Sequence, residues 1–272
     1  MCVKLNQASQ ITRIYRLLSA LLHILMGVAI ATFIWPFISK ETKLKLTKWW
    51  ANGLLRRLNT RLQAYGNLPD AKTNGVMFVA NHISWVDIHA INSVISLRFI
   101  AKSEVSGWPI FGYLVRKSGT LFIDRSRRKD ALRITEMVTE SLQRGENIGF
   151  FPEGTTTEGE HLEKFKSSIV QAAIDAKTQI WPVAIRYPLP NGGVNTQMAY
   201  AGDTTMGESI FNVLKQKNPV VELHFLTPIS TLGKNQSLLC LNFLIITIHL
   251  SIVMQKYYVS IVTFFGSVFR AR

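Results

Sequence analysis

Cysteine is nearly absent from this 272-residue chain: Cys2 stands near the first residue and Cys240 lies inside an apolar run. The two offer no disulfide framework, no activated thiol and no zinc-ligand spacing. Acidic residues are scarce as well, 17 against 31 lysines and arginines, which leaves a net charge of +14. No cluster of carboxylates and histidines has metal-ligand spacing, so no metal is implied. A G-x-S-x-G nucleophile elbow, an internal repeat and a low-complexity linker are also missing. What is left is a basic chain with 47% hydrophobic residues, which suits either a nucleic-acid binder or a protein on an anionic membrane surface. The basic residues sit beside long apolar runs. That distribution favours the membrane and argues against nucleic acid.

Residues 17–39, LLSALLHILMGVAIATFIWPFIS, contain no ionised side chain and are long enough to span a bilayer. Lysines and arginines flank the run on both sides, and the positive-inside rule favours a cytoplasmic main body. A cleaved leader is the competing reading, since Ala29-Ile30-Ala31 resembles a small-residue cleavage site. The next stretch, residues 43–66, carries six Lys or Arg and no acid, with Trp49, Trp50, Leu54, Leu58 and Leu62 near helical spacing. It reads as an amphipathic helix lying in the headgroup layer. Residues 1–66 are therefore expected to form a membrane-anchoring unit ahead of a folded domain at 67–234.

From residue 68 to 230 apolar runs alternate with helical patterns. Strands are expected at 76–80, 98–101, 119–123, 147–151, 180–186 and 220–226, with helices at 129–144 and about 166–176. Such alternation implies an α/β sandwich built on a largely parallel sheet, with the site just past the carboxyl ends of its strands. Three polar stretches fall there. ANHISWVDIH places His82 and Asp87 five residues apart after the first strand; a turn cap and a helix N-cap would explain them equally well. GTLFIDRSRRKD delivers Arg125 at a strand end, suited to a phosphate or carboxylate, though a solvated cluster before a helix fits too. NIGFFPEGTTTEG sets Glu153, Gly154 and Thr155 after a very apolar strand. Gly154 permits close backbone approach to a ligand, and successive amides there can hold an oxyanion. A buried Glu153 calls for a partner, and Arg125 is the natural one.

In their order NHISWVD, GTLFIDR, FPEGT and IWPVAI resemble the four blocks of the PlsC-type lysophosphatidic-acid acyltransferases, the HxxxxD glycerolipid acyltransferase family, over about residues 65–230. The resemblance implies a glycerolphosphate-acyltransferase-like α/β sandwich with N-terminal membrane-anchoring helices. It implies transfer of a fatty acyl group from acyl-CoA or acyl carrier protein to a lysolipid hydroxyl, first of all that of 1-acyl-sn-glycerol-3-phosphate to give phosphatidic acid, with no bound cofactor. A catalytically inactive membrane-binding scaffold of the same fold is the alternative, and the presence of His82, Asp87, Arg125 and Glu153 argues against it. His82 would be the general base and Asp87 its orienting carboxylate. Arg125, Glu153, Gly154 and Thr155 would form the acceptor site, and Lys102 matches a lysine many members place beside the phosphate. The expected location is a bacterial inner membrane, with the site at the cytoplasmic face. Trp181 and Pro182 read as structural, and His89 as a packed or exposed helix residue rather than a second base.

Two features depart from the family pattern. Many phosphatidic-acid-forming members carry arginine directly after EGT, where this chain has Thr156. Its block forms instead resemble a branch that includes lyso-ornithine-lipid acyltransferases. The second departure is the tail, residues 235–272, which has no charge between Lys234 and Lys256. It is compatible with a second membrane segment, with an apolar flap, or with a sequence altered after about residue 235.

Overall fold

Met77–Ala80 is buried at every position and forms the central strand β2 of a mixed eight-stranded sheet. The computed structural model of the protein describes residues 7–124, 128–166 and 168–233. Arg125 and the apolar tail 235–272 lie outside the described residues. In chain order the elements are α1 (Gln10–Phe33), α2 (Lys40–Arg57), β1 (Arg61–Gly66), β2, α3 (Val86–Val94), β3 (Arg98–Lys102), α4 (Phe111–Lys117), β4 (Leu121–Ile123) and α5 (Arg128–Gln143). They continue as β5 (Ile148–Phe150), α6 (Gln171–Asp175), β6 (Gln179–Arg186), α7 (Met206–Lys215), β7 (Val220–Phe225) and β8 (Ile229–Ser230).

The sheet order is β1-β7-β6-β2-β5-β3-β4, with β8 also pairing β6. Strands β6, β2, β5, β3 and β4 run parallel, while β7 joins β6 in the opposite sense. Because side chains alternate along a strand, β2 feeds two cores. Phe78 and Ala80 face Leu54, Val86, Ile91 and Val213 from α2, α3 and α7. Met77 and Val79 face Ile134, Val138 and Ala172 from α5 and α6. The result is a three-layer α/β/α sandwich, and the six predicted strands are all present.

One expectation for the N-terminal region is corrected. The predicted amphipathic helix 43–66 ends at Arg57, and residues 61–66 form β1, which pairs in parallel with β7. Asn59 breaks the helix at φ +54°, and the Arg61 amide donates to the Pro219 carbonyl. Within the predicted apolar stripe Leu54 and Leu58 are buried in the core, while Trp49 stays 47% exposed.

The long apolar helix is α1. Ser9 caps it by accepting the Thr12 amide, and Pro36 follows in a short 3-10 turn. Its inner face carries Ala20, His23, Gly27 and Ala31. Gly27 and Gly53 let α1 and α2 approach, because an added Cβ would lie 2.7 Å from the Trp50 indole and 2.6 Å from the His23 ring respectively. The opposite face leaves Ile11, Ile14, Tyr15, Leu18, Leu22 and Leu25 exposed. Both ends of α1 are tied to the domain. Near its start Arg16 donates to the carbonyls of Gln216 (2.7 Å) and Lys217 (2.9 Å). Near its end Thr32 shares a 2.8 Å hydrogen bond with Tyr113 of α4.

Candidate active site

The parallel strands β2 and β5 end side by side, and the turn that leaves β2 carries the first polar block. Asn81, fully buried, continues the ladder with its side chain: its Nδ2 donates to the Ile185 carbonyl at 3.0 Å and its Oδ1 accepts the Ile185 amide at 2.7 Å. The amide group thereby imitates a peptide unit and fixes where the turn begins.

His82 and Asp87 meet as expected. His82 Nδ1 lies 2.8 Å from Asp87 Oδ2, and the same oxygen accepts the amides of Ile83 (2.7 Å) and Ser84 (2.9 Å). The Tyr187 hydroxyl donates to Asp87 Oδ1 at 2.6 Å. Asp87 is therefore not the N-cap of α3. It sits in the first turn and points back along the chain. With two amides and a phenol donating to it, Asp87 acts as the acceptor, so Nδ1 of His82 supplies the proton of their bond, and in the neutral ring the lone pair falls on Nε2. The imidazole stacks on Phe151, centroids 3.9 Å apart and planes 9° apart, which holds the ring plane. Its side chain is 18% exposed and lines a cavity of about 930 Å3 shared with Trp50, Trp85, Phe99, Trp108 and Phe151.

Glu153 closes the site from the β5 side. It is buried, and its Oε1 accepts the His82 amide at 2.7 Å while its Oε2 accepts the Glu163 amide at 2.9 Å. Burial pushes its carboxyl above the ordinary value, against the pull of these two donors. The partners found for Glu153 are thus backbone amides, where an arginine was expected; Arg125 itself lies outside the described residues. Gly154, at φ +74°, and the exposed Thr155 line the cavity, as does Lys102 at the end of β3. Thr156 turns its hydroxyl onto the Tyr200 carbonyl. Further bonds, from the Thr157 amide to the His82 carbonyl and from the Tyr200 amide to the Ile83 carbonyl, both 2.9 Å, bind the three loops together.

His89 lies against Trp50 and Trp85, with ring centroids 5.4 and 6.1 Å apart. Burial, with His23 nearby, lowers its pKa to about 4, so it is neutral near pH 7. Trp181 is core, stacked on Phe78 at 5.4 Å. The sequence reading missed Asn81, Phe151 and Tyr187. For Tyr187 a signal existed: it follows β6 two residues after Ile185, at the same sheet end as His82.

The acyltransferase family profile matches residues 60–186 of the chain. A 1-acyl-sn-glycerol-3-phosphate acyltransferase of Neisseria meningitidis is 37% identical over 173 residues, 64% of this chain and 67% of that protein. A lyso-ornithine lipid O-acyltransferase of Pseudomonas aeruginosa is 35% identical over 193 residues, 71% of this chain and 73% of that protein. Among solved structures, PlsC from Thermotoga maritima, a 1-acyl-sn-glycerophosphate acyltransferase, superposes with a TM-score of 0.66 at 19% identity, covering 92% of this chain and 97% of that one.

Proposed function

Because the chain belongs to the PlsC-type acyltransferase family, we propose that His82 is the general base that moves a fatty acyl group from a thioester to a lysolipid hydroxyl. The protein is an O-acyltransferase of membrane lipid synthesis. The observation that carries the assignment is the His82–Asp87 bond at the cavity wall. With Nδ1–H held by Asp87, Nε2 is the nitrogen free to accept a proton. As the acceptor hydroxyl attacks the thioester carbonyl, its proton passes to Nε2. When the tetrahedral intermediate collapses, the carbon–sulfur bond breaks, the ester forms and the thiol leaves with that proton. Asp87 steadies the imidazolium in between. The acyl group never rests on the enzyme, and acyl-CoA or acyl carrier protein serves as donor.

The acceptor we favour is 1-acyl-sn-glycerol-3-phosphate, with Lys102, Arg125, Gly154 and Thr155 around its head group and phosphatidic acid as product. A second reading, lyso-ornithine lipid, is favoured by Thr156. Its hydroxyl is spent on the Tyr200 carbonyl, at a position where many phosphate-binding relatives use arginine. The exposed apolar face of α1 supports membrane association, and we place the site at the cytoplasmic face of a bacterial inner membrane, where the donor is made.

The test is acyl transfer by membranes holding the protein, with labelled donor and the two acceptors in parallel, and His82→Ala as the blank. Preference for the phosphate acceptor supports phosphatidic acid synthesis. Preference for lyso-ornithine lipid selects the second reading, and activity surviving in His82→Ala removes the base assignment.

A further inference from the structure

Asp87 is fully buried, and its two oxygens are used differently. Oδ2 takes three donors, the His82 ring and the amides of Ile83 and Ser84. For Oδ1 the hydrogen bond seen comes from the Tyr187 hydroxyl, 100 residues further along the chain, at 2.6 Å. Tyr187 is itself among the largest wholly buried side chains. It reaches this place because β6 runs parallel to β2 and is registered against it, first by Ala80 beside Val183 and then by Asn81 on the Ile185 peptide. Two residues past Ile185, on the same side of the strand, the phenol arrives over the carboxylate.

We infer that Tyr187 is a positioning residue for acyl transfer: its hydroxyl locks the Asp87 carboxylate so that Oδ2 faces His82, and it draws charge away from that oxygen. Both effects act through Asp87, and Tyr187 touches neither substrate nor His82. A carboxylate with a bare Oδ1 would be held through Oδ2 alone, and a buried oxygen would be left without a donor. Its negative charge would also concentrate on Oδ2 and bind the imidazolium more tightly. The base would then be freed only at higher pH. Of the other titratable groups, Glu153 lies against the pair from the β5 side, and Lys102 and His89 line the same cavity as His82. None of them is altered when the phenol oxygen is removed.

The inference rests on His82 being the base, and the experiment separates the two claims. Tyr187→Phe keeps the ring and removes the oxygen. Its kcat/KM, followed from pH 5 to pH 9 beside wild type and His82→Ala in the same membranes, is expected to show an acid limb displaced upward by about half to one pH unit, since one unit corresponds to about 1.4 kcal/mol of differential interaction. The KM for each substrate should hold within about two-fold. A mere loss of folded protein lowers the rate in proportion at every pH and leaves the midpoint of the limb in place. An unmoved midpoint in Tyr187→Phe, with His82→Ala inactive, overturns the role of Tyr187 and leaves the base standing. Activity in His82→Ala overturns the base, and with it this inference.

Discussion

The carboxylate of Glu153 holds the backbone amide of His82 at 2.7 Å across 71 residues of sequence, while its second oxygen holds the amide of Glu163. Glu153 therefore clasps the loop after β5 to the turn that carries His82.

Replacing Glu153 by glutamine keeps one carbonyl acceptor but sets an NH2 group against the other amide, donor to donor. The expected result is a loss of roughly 1–3 kcal/mol of stability and a fall in activity of about ten- to a hundred-fold, because small displacements of a catalytic group are expensive. The pH trend has a definite sign. Glu153 binds its proton more tightly folded than unfolded, so its contribution to stability falls as pH rises from the ordinary value near 4.5. Glutamine lacks that slope, and the gap between variant and wild type should narrow towards neutral pH. Thermal unfolding at pH 4 and pH 7 reads it directly; a gap that widens instead contradicts the burial argument.

His89 gives the opposite slope. Its folded pKa is lowered to about 4 from 6.5, chiefly by burial, so the unfolded chain takes up a proton that the folded chain refuses. Stability should fall as pH drops through that window. His89→Phe retains the aromatic packing against Trp50 and Trp85 and removes the proton site. Its melting temperature should change less between pH 7.5 and pH 5 than that of wild type. Equal changes in both would mean that His89 titrates freely in the folded enzyme.

Helix α1 is tied to the domain near both ends, by Arg16 and by Thr32. A helix crossing the bilayer could not keep both attachments to a domain on one side. We expect α1 to lie in the plane of one leaflet, with Ile14 and Leu25 at the same depth. Spin labels placed at these two exposed positions in vesicle-bound protein should show similar accessibility to a water-soluble relaxer and to oxygen. Steeply opposed accessibilities, spread over a rise of about 16 Å for those eleven residues, would instead mean that the helix crosses.

Much of the site was legible because its chemistry is local or repeats a known pattern. His82 and Asp87 are five residues apart, and one turn suffices to join them. The alternation of apolar runs with helical patterns announced the parallel strands, and a strand's carboxyl end is where polar residues matter. The N-terminal region was less legible. Periodicity in α2 marks an apolar stripe without saying what covers it, and here the core takes Leu54 and Leu58 but leaves Trp49 exposed. Residues 61–66 look like more of the same basic helix, and become β1 because β7 offers a strand to pair with.

The sequence by itself determined the α/β class, the long apolar helix, the pairing of His82 with Asp87 and the family to which its blocks belong. Only the tertiary structure decided the partners of each buried group. Glu153 meets amides of His82 and Glu163, Asn81 meets the Ile185 peptide, and Asp87 meets Tyr187. A buried polar atom requires a partner, but composition and spacing do not say which of the many donors along the chain will be carried to it. Strand order and register make that choice, and they exist only once the sheet has formed.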